Sequence, residues 1–184
     1  MLHILRQIVV TGIKTEVAPE PVDAMVVNRR LQEKILRRLG RALTIRHIDA
    51  GSCNGCELEI HALGNPYYNL EGLGIRFVAS PRHADMLLVT GPVSKHMAIA
   101  VRRAYDATPD PKLVVAVGDC GCTGGIFGES YASLGRVSNV IPVDVEIAGC
   151  PPPPTALLQG ILAAINAHAP AAVGPSSEGD SKPA

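Results

Sequence analysis

The chain has 184 residues, of which 47% are apolar and only 18% charged, with no net charge. That length accommodates one domain with a sizeable core, and the charge balance excludes an electrostatic case for nucleic-acid binding. So little charge to cover a free surface points to partner subunits over part of it. At the start of the chain, Leu2, Leu5 and Val9 fall beside Met1, Ile4 and Ile8, an amphipathic helix spacing. Residues 1–48 hold nine Lys and Arg against four Asp and Glu, so +5 lies at the front and −5 behind. A basic, amphipathic front end reads as a docking arm for an acidic partner or an anionic membrane surface, with a plain solvated basic face as the alternative. No apolar run approaches the ~18–20 residues of a membrane-spanning helix. The short stretch Ile8–Val10, closing at Thr11-Gly12, is no signal peptide. The expectation is a cytoplasmic chain, where five reduced cysteines favour metal or redox chemistry over disulfides.

Residues 16–27, with Pro19 and Pro21, read as a linker. From Asn28 as N-cap, Leu31, Ile35, Leu36 and Leu39 mark one helix face that stops at Gly40. A pattern then repeats three times. Leu43–Ile48 is an apolar strand, and the loop after it holds Cys53 and Cys56. Leu113–Val117 is a continuous buried strand, and the loop after it holds Cys120. Val143–Ile147 is a third strand, followed at once by Gly149-Cys150. Arg76–Val78 and Met86–Val89 supply two more short strands, and helices are expected over Glu57–Leu63, Ser94–Tyr105 and Thr155–Ile165. Strands that are apolar throughout and alternate with helices predict an α/β fold: an open parallel sheet covered by helices on both faces. In such a sheet every strand ends on the same edge, where open α/β folds place their ligands. The cysteine loops therefore converge on the carboxyl edge. The expected organisation is an amphipathic segment, linker and helix over 1–42, a cysteine-bearing α/β domain over 43–168, and a disordered tail over 169–184.

Each cysteine stands among glycines: Gly51-Ser52-Cys53-Asn54-Gly55-Cys56, Gly118-Asp119-Cys120-Gly121-Cys122 and Gly149-Cys150. Iron–sulfur clusters are held by thiolates, usually four, and glycine lets the backbone approach and aim N–H groups at sulfur. The run Pro151–Pro154 stiffens the chain after Cys150. Spacing leaves two rivals open. Zinc takes four thiolates equally well, although zinc ribbons usually show two C-x-x-C knuckles. A thioredoxin-like dithiol would use Cys53-Asn-Gly-Cys56 between strand and helix, leaving Cys120 and Cys150 without a role.

Six segments carry a resemblance: Ser52-Cys-Asn-Gly-Cys-Glu-Leu-Glu59, Ser80-Pro-Arg-His-Ala-Asp85, Gly118-Asp-Cys120, Thr123-Gly-Gly125, Val140-Ile-Pro-Val-Asp144 and Gly149-Cys-Pro-Pro152. From Arg46 to Ile165 the chain resembles the family of the complex I 20 kDa subunit and the small subunits of membrane-bound, energy-converting [NiFe] hydrogenases. The resemblance implies a flavodoxin-like domain with one [4Fe–4S] cluster ligated by Cys53, Cys56, Cys120 and Cys150, and leaves Cys122 a spare thiol. Quinone-reducing members carry two adjacent cysteines at the first ligand pair, so Cys-Asn-Gly-Cys resembles the hydrogenase branch, the formate hydrogenlyase small subunit in particular. The implied partners are a hydrogenase large subunit, a ferredoxin-like iron–sulfur subunit and membrane subunits, with the chain held peripherally on the cytoplasmic side of the inner membrane. The alternatives are a complex I-like subunit passing electrons to quinone and a structural module with zinc held by the same four cysteines. For Glu59 the resemblance implies a proton-relay or cluster-tuning role, against a plain helix-start carboxylate. His83, beside Arg82 and Asp85, is expected either to donate a hydrogen bond to the cluster or to be structural. Asp144 is expected to pair with a partner, and Met97 and Tyr105 to face the core.

Overall fold

The computed structural model describes residues 24–167 and, outside them, Arg6. The amphipathic start, most of the expected linker and the expected tail therefore lie outside the described residues. Helix α1, Ala24–Leu39, begins four residues ahead of the expected N-cap, so the last residues assigned to the linker are helical. Strand β1 (Leu43–Asp49) leads to α2 (Gly55–Ala62), and β2 (Ile75–Phe77) to β3 (Met86–Thr90) and α3 (Ala98–Ala107). Then β4 (Leu113–Val117) runs straight into α4 (Gly118–Thr123), and β5 (Val145–Ile147) precedes α5 (Pro154–Ala167). The Cys120 loop expected from the sequence is thus a short helix.

The five strands form one sheet in the order β2-β1-β3-β4-β5, every neighbouring pair parallel. This is the flavodoxin-like order, whose direction of winding reverses between β1 and β3. All five residues of β3 and of β4 are buried, as a strand covered on both faces requires. Their side chains divide by the two-residue period of a strand. Met86 and Leu88 join Leu113, Val115 and Val117 in a core with Leu31, Ile60, Leu158 and Ile161 of α1, α2 and α5. Leu87 and Val89 join Val114 and Ala116 in a second core with Val101 of α3, Cys122 of α4 and Val137. Met97 and Tyr105 are both half-buried, and Tyr105 packs on that second core. No helix among the described residues is long and apolar enough to cross a membrane.

Candidate functional site

The cysteine loops leave the carboxyl ends of β1, β4 and β5. After β1 the chain turns on Asp49, whose Oδ1 accepts the N–H groups of Gly51 and Ser52, both at 2.8 Å. Ser52 Oγ then accepts the Asn54 N–H at 3.2 Å. Asn54 sits in the left-handed region at φ 70°, a conformation Asn tolerates better than most residues, and α2 starts directly after it. Cys53 therefore precedes the helix and Cys56 lies in its first turn. Cys120 lies in the first turn of α4, and Cys150 follows Gly149 two residues beyond the last core side chain of β5.

Two glycines bring backbone against sulfur. A Cβ on Gly118, at φ +81°, would stand 2.5 Å from Cys56 Sγ, and one on Gly125 would stand 2.8 Å from Cys120 Sγ. A Cβ on Gly55 would lie 3.6 Å from Cys53 Sγ and within 3.9 Å of Pro151, so the first and third loops meet there. The thiols also act on one another electrostatically. Burial pushes the Cys56 thiol up to about 12, and the charges of Glu57, Cys120, Cys53 and Cys150 add to the rise. Cys120 is raised by burial, then by Cys150 and Cys53. The groups acting on Cys56 are Glu57 and the thiols of Cys120, Cys53 and Cys150, so the four sulfurs lie near one another at this edge. Among the described residues no group of three or more His, Cys, Asp or Glu side chains is set to hold a metal ion as it stands.

Cys122 faces elsewhere. It is 4% exposed, packs in the second core and donates its S–H to the Ala116 carbonyl at 3.7 Å. Burial and the Glu146 charge push it up to about 11. At pH 8 only about one Cys122 in a thousand would be thiolate, and burial shields that fraction. Cys122 is therefore expected to resist iodoacetamide in the native chain and to react only once the chain unfolds, as mass mapping of the labelled site would read. Modification of native Cys122 at the rate of Cys53 would contradict this placement.

The structure removes His83 from this site. It precedes β3, at the amino edge, so the length of β3 (~16 Å at ~3.3 Å per residue) separates it from the cysteine edge. There it lines a cavity of about 570 Å³ with Arg41, Asp85, Pro111 and Ile165. Asp85 is structural: Arg41 donates to it at 2.6 and 3.2 Å, and the Thr44 hydroxyl and N–H at 2.7 and 3.0 Å. Asp144 accepts the Val114 N–H at 2.7 Å and holds the entry to β5, just outside the strand that was expected to contain it. Glu59 is half-buried on α2, three residues after Cys56.

Sequence reasoning passed over Glu57. It is 8% exposed, and neither carboxylate oxygen has a hydrogen-bond partner. His47 Nε2 stands 3.7 Å from Oε1 and 3.0 Å from Thr90 Oγ1, whose hydroxyl donates to the Ile48 carbonyl at 3.4 Å. Burial lowers the His47 pKa, with the Glu57 and Asp49 charges opposing. Both residues border a cavity of about 520 Å³ with Ile60, His61, Arg76 and Phe77. The helical spacing of α2 about a buried Ile60 was the available signal, since it turns Glu57 inward one turn earlier.

Comparison with known proteins places these features among relatives. A family profile described as NADH ubiquinone oxidoreductase, 20 kDa subunit, matches residues 53–164. The probable membrane-bound hydrogenase subunit mbhJ of Pyrococcus furiosus is 44% identical over 140 residues, covering 74% of this chain and 84% of that protein. Formate hydrogenlyase subunit 7 of Escherichia coli is 42% identical over 147 residues, 80% of this chain but only 57% of that longer protein. Among solved structures, a chain of the membrane-bound sulfane sulfur reductase, an archaeal respiratory membrane complex, superposes with a TM-score of 0.60 at 33% identity, covering 78% of this chain and 75% of that one.

Proposed function

Because this chain belongs to the family of the NADH ubiquinone oxidoreductase 20 kDa subunit and the [NiFe] hydrogenase small subunits, we propose that it is an electron-transfer subunit of a membrane-associated hydrogenase complex. In this reading the domain over 43–168 holds one [4Fe–4S] cluster through Cys53, Cys56, Cys120 and Cys150. The observation that carries it is the convergence of the three loops bearing Cys53, Cys56, Cys120 and Cys150 at one sheet edge, with Cβ-free glycines against two of the sulfurs. The residues fit the group: the donors are soft, and glycine backbone leaves room around Cys56 and Cys120. When bound, such a cluster supplies one-electron transfer.

The chain's own part is to hold that centre in place and shield it on one side. Cys56 and Cys120 approach from the partly buried side, against the sheet, while Cys53 and Cys150 are exposed toward whatever docks on the edge. The partners in this reading are a catalytic large subunit facing that edge, a ferredoxin-like iron–sulfur subunit and membrane subunits, with the chain peripheral on the cytoplasmic face. Glu59 is assigned a proton relay beside the partner. The names of the two relatives, a membrane-bound hydrogenase subunit and a formate hydrogenlyase subunit, support hydrogen as the partner chemistry. The family description supports the second reading, a subunit delivering electrons to quinone.

The test is the intact complex purified from its source and assayed with hydrogen and a viologen dye, and separately with a quinone. The isolated chain is expected to be inert, because four cysteines are engaged by one cluster and Cys122 alone cannot build a nickel–iron site. The complex is expected to reduce dye with hydrogen, and Glu59→Gln to slow turnover about a hundredfold, the lower end of the usual range for a lost proton carrier, at unchanged iron content. A nickel-free complex that reduces quinone would overturn the hydrogenase reading and leave the cluster reading in place. Unchanged turnover in Glu59→Gln would return Glu59 to a helix-start carboxylate.

A further inference from the structure

Asp119 ties together two loops that lie thirty residues apart. Its main-chain N–H donates to the Gly149 carbonyl at 2.9 Å, and its carboxylate Oδ1 accepts the Gly149 N–H at 2.7 Å. Each of the two residues immediately precedes a cysteine, Cys120 in one case and Cys150 in the other. Asp119 is itself fixed from below, since the Thr123 hydroxyl donates to its carbonyl at 2.9 Å and accepts the Gly125 N–H at 3.2 Å. The same segment reaches the first loop, because Gly118 stands against both Cys56 Sγ and the Gly149 carbonyl.

Cys150 needs such an anchor more than the other thiols. It is exposed, so packing does not fix it, and the residue before it is a glycine at φ +135° with no side chain to hold. The first loop is secured within itself by Asp49 and Ser52. The third loop receives its carboxylate from the second. The geometry of that bond is fixed by α4 and the end of β4.

We propose that Asp119 is a positioning residue for the iron–sulfur group: its two-bond clasp on Gly149 sets the position of the Cys150 thiolate relative to Cys120. The inference rests on the proposed cluster, and it assigns the clasp to the acceptor oxygen and not to the negative charge. Asp119→Asn keeps an acceptor at Oδ1 without the charge, whereas Asp119→Ala removes both.

The experiment uses the full chain reconstituted anaerobically with iron and sulfide. Iron release to a chelator is followed by absorbance, and low-temperature EPR identifies the cluster form during release. Asp119→Ala is expected to release iron about tenfold faster, the scale of a lost hydrogen bond that leaves its donor unpaired, and to pass through a three-iron form as the corner held by Cys150 is lost. Asp119→Asn is expected to stay within about twofold of the unmodified chain on the same argument. Should Asp119→Ala not accumulate, Asp119→Glu, which keeps the charge but displaces the acceptor by one methylene, is expected to release iron faster in its place. Equal release from Asp119→Ala and the unmodified chain, or equally fast release from Asp119→Asn and Asp119→Ala, overturns the inference alone. An unmodified chain that takes up no iron overturns the proposed function and this inference together.

Discussion

Gly118→Ala is expected to weaken iron binding, although the substitution adds one methyl group. Two effects add at this position. Gly118 holds φ +81°, where an L side chain costs about 1–2 kcal/mol. Its Cβ would also stand 2.5 Å from Cys56 Sγ, well inside van der Waals contact. A cysteine has only one side-chain torsion, so the sulfur escapes by rotating to another staggered position, which carries it away from the other thiols. The backbone at Gly118 has little room to yield, since Asp119 is bonded to Gly149 on one side and β4 is fully buried on the other. Affinity for iron is expected to fall about tenfold, the effect of ~1.4 kcal/mol lost at one ligand. Gly128→Ala separates the two effects: it shares the positive φ, at +52°, with nothing within 4 Å of the added Cβ. It is expected to lose only the backbone term in thermal stability and to keep its iron. If both variants retain iron equally, the close approach at Cys56 has no bearing on ligation.

Replacing Cys53, Cys56, Cys120 or Cys150 by Ala is expected to abolish the cluster's absorbance and its reduced-state EPR signal, while Cys122→Ala retains both. The distinction comes from where the fold sends each sulfur. The first four are carried by three loops at the carboxyl edge. Cys122, two residues after Cys120 on the same short helix, faces the second core and donates to Ala116. Its loss opens a small cavity costing about 1–2 kcal/mol, visible in chemical denaturation and not in the iron content. A colourless Cys122→Ala beside a coloured Cys120→Ala would exchange their assignments.

How much of this was legible in the chain depends on the range of the interactions involved. The parallel sheet could be read because Met86–Val89 and Leu113–Val117 are apolar at every position, which only a strand buried on both faces tolerates. Convergence of the cysteine loops followed from that sheet, since parallel strands share one carboxyl edge. The α4 helix was missed because Gly118, Gly121 and Asp119 are poor helix formers locally, and the turn is held by tertiary bonds to Gly149. Of the two readings of His83, the structure keeps the structural one, for a related reason. The motif Ser80–Asp85 reads as a functional cluster in one dimension, yet it enters β3 at the amino end, where Asp85 locks Arg41 and Thr44. Asp119 and Glu57 were invisible as site residues, because the partner of one lies thirty residues away and the burial of the other is set by how α2 lies on the sheet.

The central claim is that four thiolates from three loops hold one [4Fe–4S] cluster, and its most direct test is iron and acid-labile sulfide per chain, determined with the EPR spectrum before and after one-electron reduction. The expected result is a brown protein with about four irons and four sulfides per chain, showing a paramagnetic signal on reduction that disappears on reoxidation. A colourless protein carrying about one zinc per chain, with no sulfide and no such signal, would contradict it.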